Sequence, residues 1–115
     1  MKKLFLDDVR TVDMIYSAEE IPQFVVVRTY AEFVEYIKES GLPDFISFDN
    51  DLGLDESGNL APDGYAAAKW LVYESGLNLR ALQFRVHSAN PVAAEQIRGL
   101  LNNYLRHLGA ARPEL

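Results

Sequence analysis

The chain has 115 residues, enough for one domain with its own core, and 49% of them are apolar, which argues against disorder. It has no cysteine, so disulfides and thiolate metal sites are excluded, and no apolar run near the length of a membrane span. A net charge of −6 without any Lys/Arg cluster speaks against broad nucleic-acid binding, but a small phosphorylated ligand fits if a cation accompanies it.

The first apolar run, residues 4–6, stops at Asp7 and is too short for a signal-peptide core, so a cytoplasmic location is expected. Apolar on both faces, it predicts a central strand ending in Asp7 and Asp8. Residues 9–23 predict a mostly irregular crossover, because Pro22 and uneven polarity break any helical period. Residues 24–27 form a second fully apolar run with Arg28 at its end. Thr29-Tyr30-Ala31-Glu32 is a capping box, followed by Phe33, Val34 and Ile37 at helical spacing and by Gly41 and Pro43 as stop signals.

Residues 45–48 predict a third strand, ending in Asp49-Asn50-Asp51. Residues 52–63 read as a loop, in which Asp55 and Glu56 are solvated and Asp63 caps the next helix. That helix is predicted over 65–75, with Trp70 packing inward and Gly76 as its stop. Residues 82–88 predict a fourth strand. Its alternation of Leu82, Phe84 and Val86 with Gln83, Arg85 and His87 implies one wet face and a place at the sheet edge. Asn90-Pro91 starts a last helix running to about His107, with Ile97, Leu100, Leu101, Tyr104, Leu105 and Leu108 as its stripe. Residues 1–108 are expected to form the domain and 109–115 a tail.

Strands alternating with helices imply right-handed crossovers and a parallel sheet of order 2-1-3-4 in a small, three-layer, flavodoxin-like α/β domain. Ligands then sit beyond the carboxyl ends of the strands, at the switch point between strands 1 and 3. The strand ends bring Asp7, Asp8, Arg28, Asp49, Asn50, Asp51, His87 and Ser88 to that place. Clustered carboxylates repel unless protons or a cation intervene, and a hard cation with oxygen ligands, Mg²⁺ or Mn²⁺, answers the need. The competing reading is that each acid caps a helix or solvates a loop. His87 is either an exposed edge residue or an acid–base group. Ser88 either holds the helix start at Asn90 or contacts a phosphate oxygen. Arg10, Arg28 and Lys69 are candidate phosphate partners, with surface salt bridging as the alternative, and His107 suits a helix C-terminus. Asp49-Asn50-Asp51 looks like the D-x-D motif of haloacid-dehalogenase-like phosphatases, but too little sequence follows for that larger fold. No nucleotide P-loop or dinucleotide fingerprint occurs.

The layout resembles receiver domains of response regulators. In those, an acidic pair follows strand 1, a phosphoacceptor aspartate follows strand 3 and a Ser/Thr follows strand 4, roles onto which Asp7-Asp8, Asp49 and Ser88 fall. Receivers also carry a Lys after a fifth strand, which is not read here. The sequence is more similar still to cyclic-phosphate-processing receiver domains. The resemblance rests on residues 6–10, Val27-Arg28-Thr29-Tyr30, residues 41–44, residues 46–53, Asp63-Gly64-Tyr65, Lys69-Trp70-Leu71 and residues 87–91. It implies metal-assisted handling of a cyclic phosphate. Asp7, Asp8, Asp49 and Asp51 would then serve the metal, and Arg10, Arg28, Ser88 and Asn50 the phosphate, with His87 protonating the leaving group. The family pattern places His where Asn50 stands, and an amide cannot transfer protons near neutral pH. A phosphoacceptor signalling module and a catalytically degenerate interaction domain are the alternatives. No protein partner is indicated.

Overall fold

The structure, a computed structural model, describes residues 1–109. Its elements run β1 (Lys3–Leu6), β2 (Phe24–Val27), α1 (Tyr30–Ser40), β3 (Phe45–Phe48), α2 (Gly64–Tyr73), β4 (Gln83–Val86) and α3 (Pro91–His107). Two 3₁₀ turns, Val12–Met14 and Ile21–Gln23, interrupt the β1–β2 crossover, which is otherwise irregular as its polarity predicts.

The strands form one parallel sheet of order β2-β1-β3-β4. The register matters most for function. Leu6 pairs with both Val27 and Phe48, and Phe48 pairs with Val86, so all four strands end level. The amides of Asp7, Asp49 and His87 each continue the ladder by one bond, to Val27, Leu6 and Phe48 respectively. The next residue of every strand, Asp7, Arg28, Asp49 and His87, therefore lies along one edge.

Successive side chains of a strand point to opposite faces. On one face Leu4, Leu6, Ile46, Phe48 and Val86 pack into a core with Phe33 and Ile37 of α1, Ala67, Ala68 and Leu71 of α2, and Ile97, Leu101 and Leu105 of α3. All three helices thus share a single face. The third layer, on the opposite face, is built by the crossover. Tyr16 packs against Phe5, Phe24 and Phe45, while Lys3 reaches Glu20 at 3.8 Å.

The helix boundaries follow local chemistry. The Thr29 hydroxyl accepts from the Glu32 amide at 3.1 Å, and Glu32 reaches back to the Arg28 amide at 2.7 Å. Asp63 caps α2 by accepting from the Ala66 amide at 2.8 Å, and Trp70 packs inward as expected. α2 begins one residue earlier than its apolar pattern predicts, at Gly64, and ends at Tyr73. β4 is shorter than the predicted 82–88, because Leu82 closes a turn onto Leu79 and His87 already turns toward the site. The apolar run of β2 implied burial on both faces, yet Val25 is 43% and Val26 38% exposed. The physical reason is position: β2 is an outermost strand, so Val25 on the helix face and Val26 on the crossover face are covered from one side only, while Phe24 packs under the Tyr16 ring.

Asn90 accepts from the amides of Val92 and Ala93 at 3.1 and 3.2 Å, with Pro91 at the first helical position. Asn90→Ala is expected to cost about 1 kcal/mol, because those amides lose their acceptor. Urea unfolding should show the loss as a lower midpoint with an unchanged slope.

Candidate metal and phosphate site

Asp7 is fully buried, at 0% exposure. Its Oδ1 accepts from the amides of Val9 (3.0 Å) and Arg10 (2.9 Å), which folds the chain sharply after β1. Its Oδ2 meets His87 Nε2 at 3.0 Å. The imidazole is buried, at 8% exposure, and its other nitrogen, Nδ1, lies 2.6 Å from Ser47 Oγ. Ser47 in turn receives the Tyr16 hydroxyl at 2.8 Å. Phe5 stacks on the imidazole with ring centroids 4.6 Å apart and planes 3° from parallel. The exposed edge-strand reading of His87 is thereby corrected: its backbone continues β4, but its ring turns under the strand ends to reach Asp7. Both ring nitrogens are partnered.

Asp49 is buried beside this group, and its Oδ1 accepts from the Asn50 amide at 2.8 Å. Asp7, Asp49 and His87 each offer a ligand atom within 4.8 Å of the others. Asp8 and Asp51 stand outside that trio. The Asp8 carboxylate lies against Gly53, where a Cβ would come within 3.2 Å of Oδ2. Asp51 is exposed and meets the Asn50 amide group at 3.4 Å.

The candidate phosphate binders are partly engaged within the protein. Arg10 Nη1 donates to the His87 carbonyl at 2.9 Å, and its Nε lies 3.9 Å from Asp7. Arg28 Nη1 donates to the carbonyls of Asp7 (3.1 Å) and Arg10 (2.5 Å), fastening the loop after β1 to the end of β2. Asn50 Oδ1 accepts from the Tyr65 amide at 3.2 Å, so this side chain holds the start of α2. Ser88 Oγ accepts from the Asn90 amide at 3.1 Å, the helix-start role, and keeps its own proton to donate. Lys69 lies over the Tyr65 ring at 5.0 Å.

The electrostatics separate the two buried acids. Burial pushes the Asp49 carboxyl up, the neighbouring Asp7 pushes it further, and it reaches about 6 despite the Asn50 amide and Arg10. Burial also acts to raise Asp7, but the Arg10 and Val9 amides and His87 outweigh it and hold that carboxyl below its ordinary value. For His87, burial is the largest influence and lowers its pKa, against the opposing pull of Asp7. The arrangement at neutral pH is an ionised Asp7, a neutral imidazole and an Asp49 whose charge is costly. An adjacent carboxylate pair in which one member resists ionisation suits a hard divalent cation.

The sequence reading did not single out four contributors. Ser47 and Phe5 look like ordinary strand residues, and Tyr16 lies in an irregular segment. Alternation along β1 and β3 puts Phe5 and Ser47 on the same face as His87, which is the signal that could have joined them. Gly64 is the fourth: a Cβ there would sit 1.8 Å from the Asp49 carbonyl oxygen.

The sheet order and the acidic strand ends define a receiver-like domain. Residues 2–103 match the family described as cyclic-phosphate processing receiver domain, and the chain belongs to that family. Among solved structures, it is similar to the N-terminal domain of a response regulator/sensory box/GGDEF three-domain protein from Carboxydothermus hydrogenoformans. The identity is 21% and the TM-score 0.55, with 96% of this chain and 98% of that one covered. A fusion protein carrying the yeast Spc42 trimeric coiled coil is similar at 20% identity and TM-score 0.57, covering 95% of this chain and 81% of that one. Both likenesses concern the fold. None of the curated proteins compared with the chain matches it. Among the described residues, no helix is long and apolar enough to cross a membrane.

Proposed function

We propose that the crevice binds Mg²⁺ or Mn²⁺ and opens a cyclic phosphate, free or nucleotide-derived, by hydrolysis. The observation that carries this reading is the buried pair Asp7–Asp49, of which Asp49 is pushed up to about 6. Asp7, Asp8 and Asp49 would hold the cation, with Asp51 reaching it through water. Bound there, the cation neutralises the carboxylates, polarises a phosphoryl oxygen and lowers the pKa of water.

The remaining work falls to this chain's own donors. The Ser88 hydroxyl, the Asn50 amide group and the N–H groups that Arg10 and Arg28 have left over bind phosphate oxygens as charge develops on them. Water adds to phosphorus, one ring P–O bond breaks, and the departing alkoxide takes up a proton through solvent. His87 is assigned to holding Asp7 rather than to delivering that proton, because its nitrogens face Ser47 and Asp7. Asn50 contributes hydrogen bonds and no proton, because an amide does not titrate near neutral pH.

The test is ³¹P NMR of nucleoside cyclic phosphates incubated with the protein and Mg²⁺. Ring opening to a monoester is expected, and Asp49→Asn should abolish it. If the cation binds but every ring stays closed, the hydrolytic reading fails. The receiver likeness of Asp7, Asp49 and Ser88 supports a second reading, in which Asp49 accepts a phosphoryl group. A gain of one phosphate in intact mass, after incubation with a small phosphodonor and Mg²⁺, would select it.

A further inference from the structure

The chain Tyr16–Ser47–His87–Asp7 runs from the crossover face of the sheet to the crevice, with successive separations of 2.8, 2.6 and 3.0 Å. Each link fixes the next. The Tyr16 hydroxyl donates to Ser47 Oγ, whose other partner among the described residues is His87 Nδ1, so the Ser47 proton goes to Nδ1. Nδ1 is then an acceptor, and the ring proton sits on Nε2, where it is donated to Asp7 Oδ2. The polarity of the whole chain is set, and no buried polar side-chain atom among the described residues lacks a partner. Phe5, stacked on the ring, blocks rotation out of this plane.

We propose that Ser47 and Tyr16 are positioning residues, which lock His87 as the Nε2–H tautomer so that it holds the Asp7 carboxylate toward the cation. The role rests on the reading of Asp7 as a cation ligand. Partners one step behind a ligand orient it, and their loss weakens metal affinity by about 10- to 100-fold. Ser47 has the larger influence of the two, because it touches the ring. Tyr16 acts through Ser47 and has a smaller effect. The device also ties the crossover to the site, since Tyr16 packs on Phe5, Phe24 and Phe45 at the same time.

Two measurements on the full chain test this. The first follows the ¹⁵N resonances of His87, without metal and with Mg²⁺, in wild type, Ser47→Ala and Tyr16→Phe. Wild type should show protonated Nε2 and a hydrogen-bonded, unprotonated Nδ1 in both conditions. Ser47→Ala should move Nδ1 toward the position of a free unprotonated nitrogen. The second measures Mn²⁺ affinity, expected to fall about tenfold in Ser47→Ala, at the low end for such partners, and less in Tyr16→Phe. Both variants keep the packing of small or aromatic groups, and the ¹⁵N–¹H amide spectrum reports whether each is folded. An unmoved Nδ1 resonance in Ser47→Ala overturns the hydrogen-bond chain. A switch to Nδ1–H on adding Mg²⁺ makes His87 a ligand and ends its role as holder. A moved resonance with unchanged Mn²⁺ affinity removes the positioning role alone. Absence of any Mg²⁺ or Mn²⁺ binding by wild type overturns the proposed function, and the positioning role with it, while the resonances still report on the chain itself.

Discussion

Asp49→Asn is expected to raise the unfolding midpoint of the metal-free protein at about pH 7.5, and to abolish the further rise that Mg²⁺ or Mn²⁺ gives the wild type. The first half follows from the Asp49 carboxyl, raised from 3.8 to about 6 by burial and by Asp7. A carboxyl whose pKa is higher in the folded state binds its proton more tightly there. Its favourable contribution is complete below pH 3.8 and is lost as pH rises through about 6. At about pH 7.5 the wild type bears the cost of that ionisation, on the order of 3 kcal/mol as an upper value at about 1.4 kcal/mol per pKa unit. The variant does not, and it keeps an oxygen for the Asn50 amide. A gain of even about 1 kcal/mol moves the midpoint by several degrees in a domain of this size. The gain should vanish at about pH 3.5 and grow between there and pH 6.

The second half follows from linkage. A cation that binds only the folded state at about a hundredfold excess over its Kd adds about 2.7 kcal/mol. The variant removes both a ligand and the charge repulsion that recruits the cation, so its midpoint should stay flat across the metal titration. Equal destabilisation by the substitution at both pH values would show that the Asp49 carboxylate serves the fold, and the site would have to be redrawn. Asp7 provides the opposite sign. Its carboxyl is held below the ordinary range, so its contribution is present above about pH 4 and fails as pH falls below that. Loss of Asp7 is therefore destabilising where loss of Asp49 is stabilising, although the two acids are neighbours.

Much of this arrangement was legible from the order of the residues. Short, mostly apolar runs at 4–6 and 45–48, each closed by acids, predict two of the strands and their functional ends, and an order that puts the apolar first strand inside, 2-1-3-4, makes Asp7 and Asp49 neighbours. Side-chain direction beyond the strand was less legible. Period-2 alternation assigns His87 to the wet face with Gln83 and Arg85. Those two are exposed, whereas His87 lies one step past the strand and bends under the sheet end. The same limit applies to Arg28 and Asn50. Their residue types announce anion binding, but a guanidinium can equally fasten carbonyls and an amide can equally hold a helix start, and both do so here. The exposure of Val25 and Val26 has a related cause. An apolar run reports what a strand tolerates, and its place in the sheet decides what it receives: Val25, level with Leu4, faces the helices and Val26, level with Phe5, faces the crossover, and at the outermost strand neither is fully covered.

Gly64 provides the other large effect. It is the first residue of α2, and its amide donates to the Asn50 carbonyl at 2.8 Å. A Cβ at this position would stand 1.8 Å from the Asp49 carbonyl oxygen and 2.9 and 3.0 Å from further backbone atoms of Asp49 and Asn50. None of these is the movable end of a side chain, so Gly64→Ala must push the start of α2 away from the end of β3. Gly64 opens the helix rather than lying in its interior, so the interior preference of about 1 kcal/mol for Ala over Gly is an upper bound on what the change offers. The clash should win. A loss of about 3 kcal/mol, the upper range for an overpacked core, is expected by urea unfolding. Gly99 is the internal control. It lies within α3, and a Cβ there would meet nothing within 4 Å, so Gly99→Ala should stabilise by about the propensity difference of 1 kcal/mol. Opposite signs for the same chemical substitution would show that the β3–α2 contact, rather than glycine's flexibility, is what the Asp49 end of the site requires. Because the displaced backbone carries Asp49 and Asn50, Gly64→Ala should also weaken Mn²⁺ binding, while Gly99→Ala leaves it unchanged. Two stabilities that both rise would mean that α2 can shift without strain, and that Asp49 is held in place by its own hydrogen bonds alone.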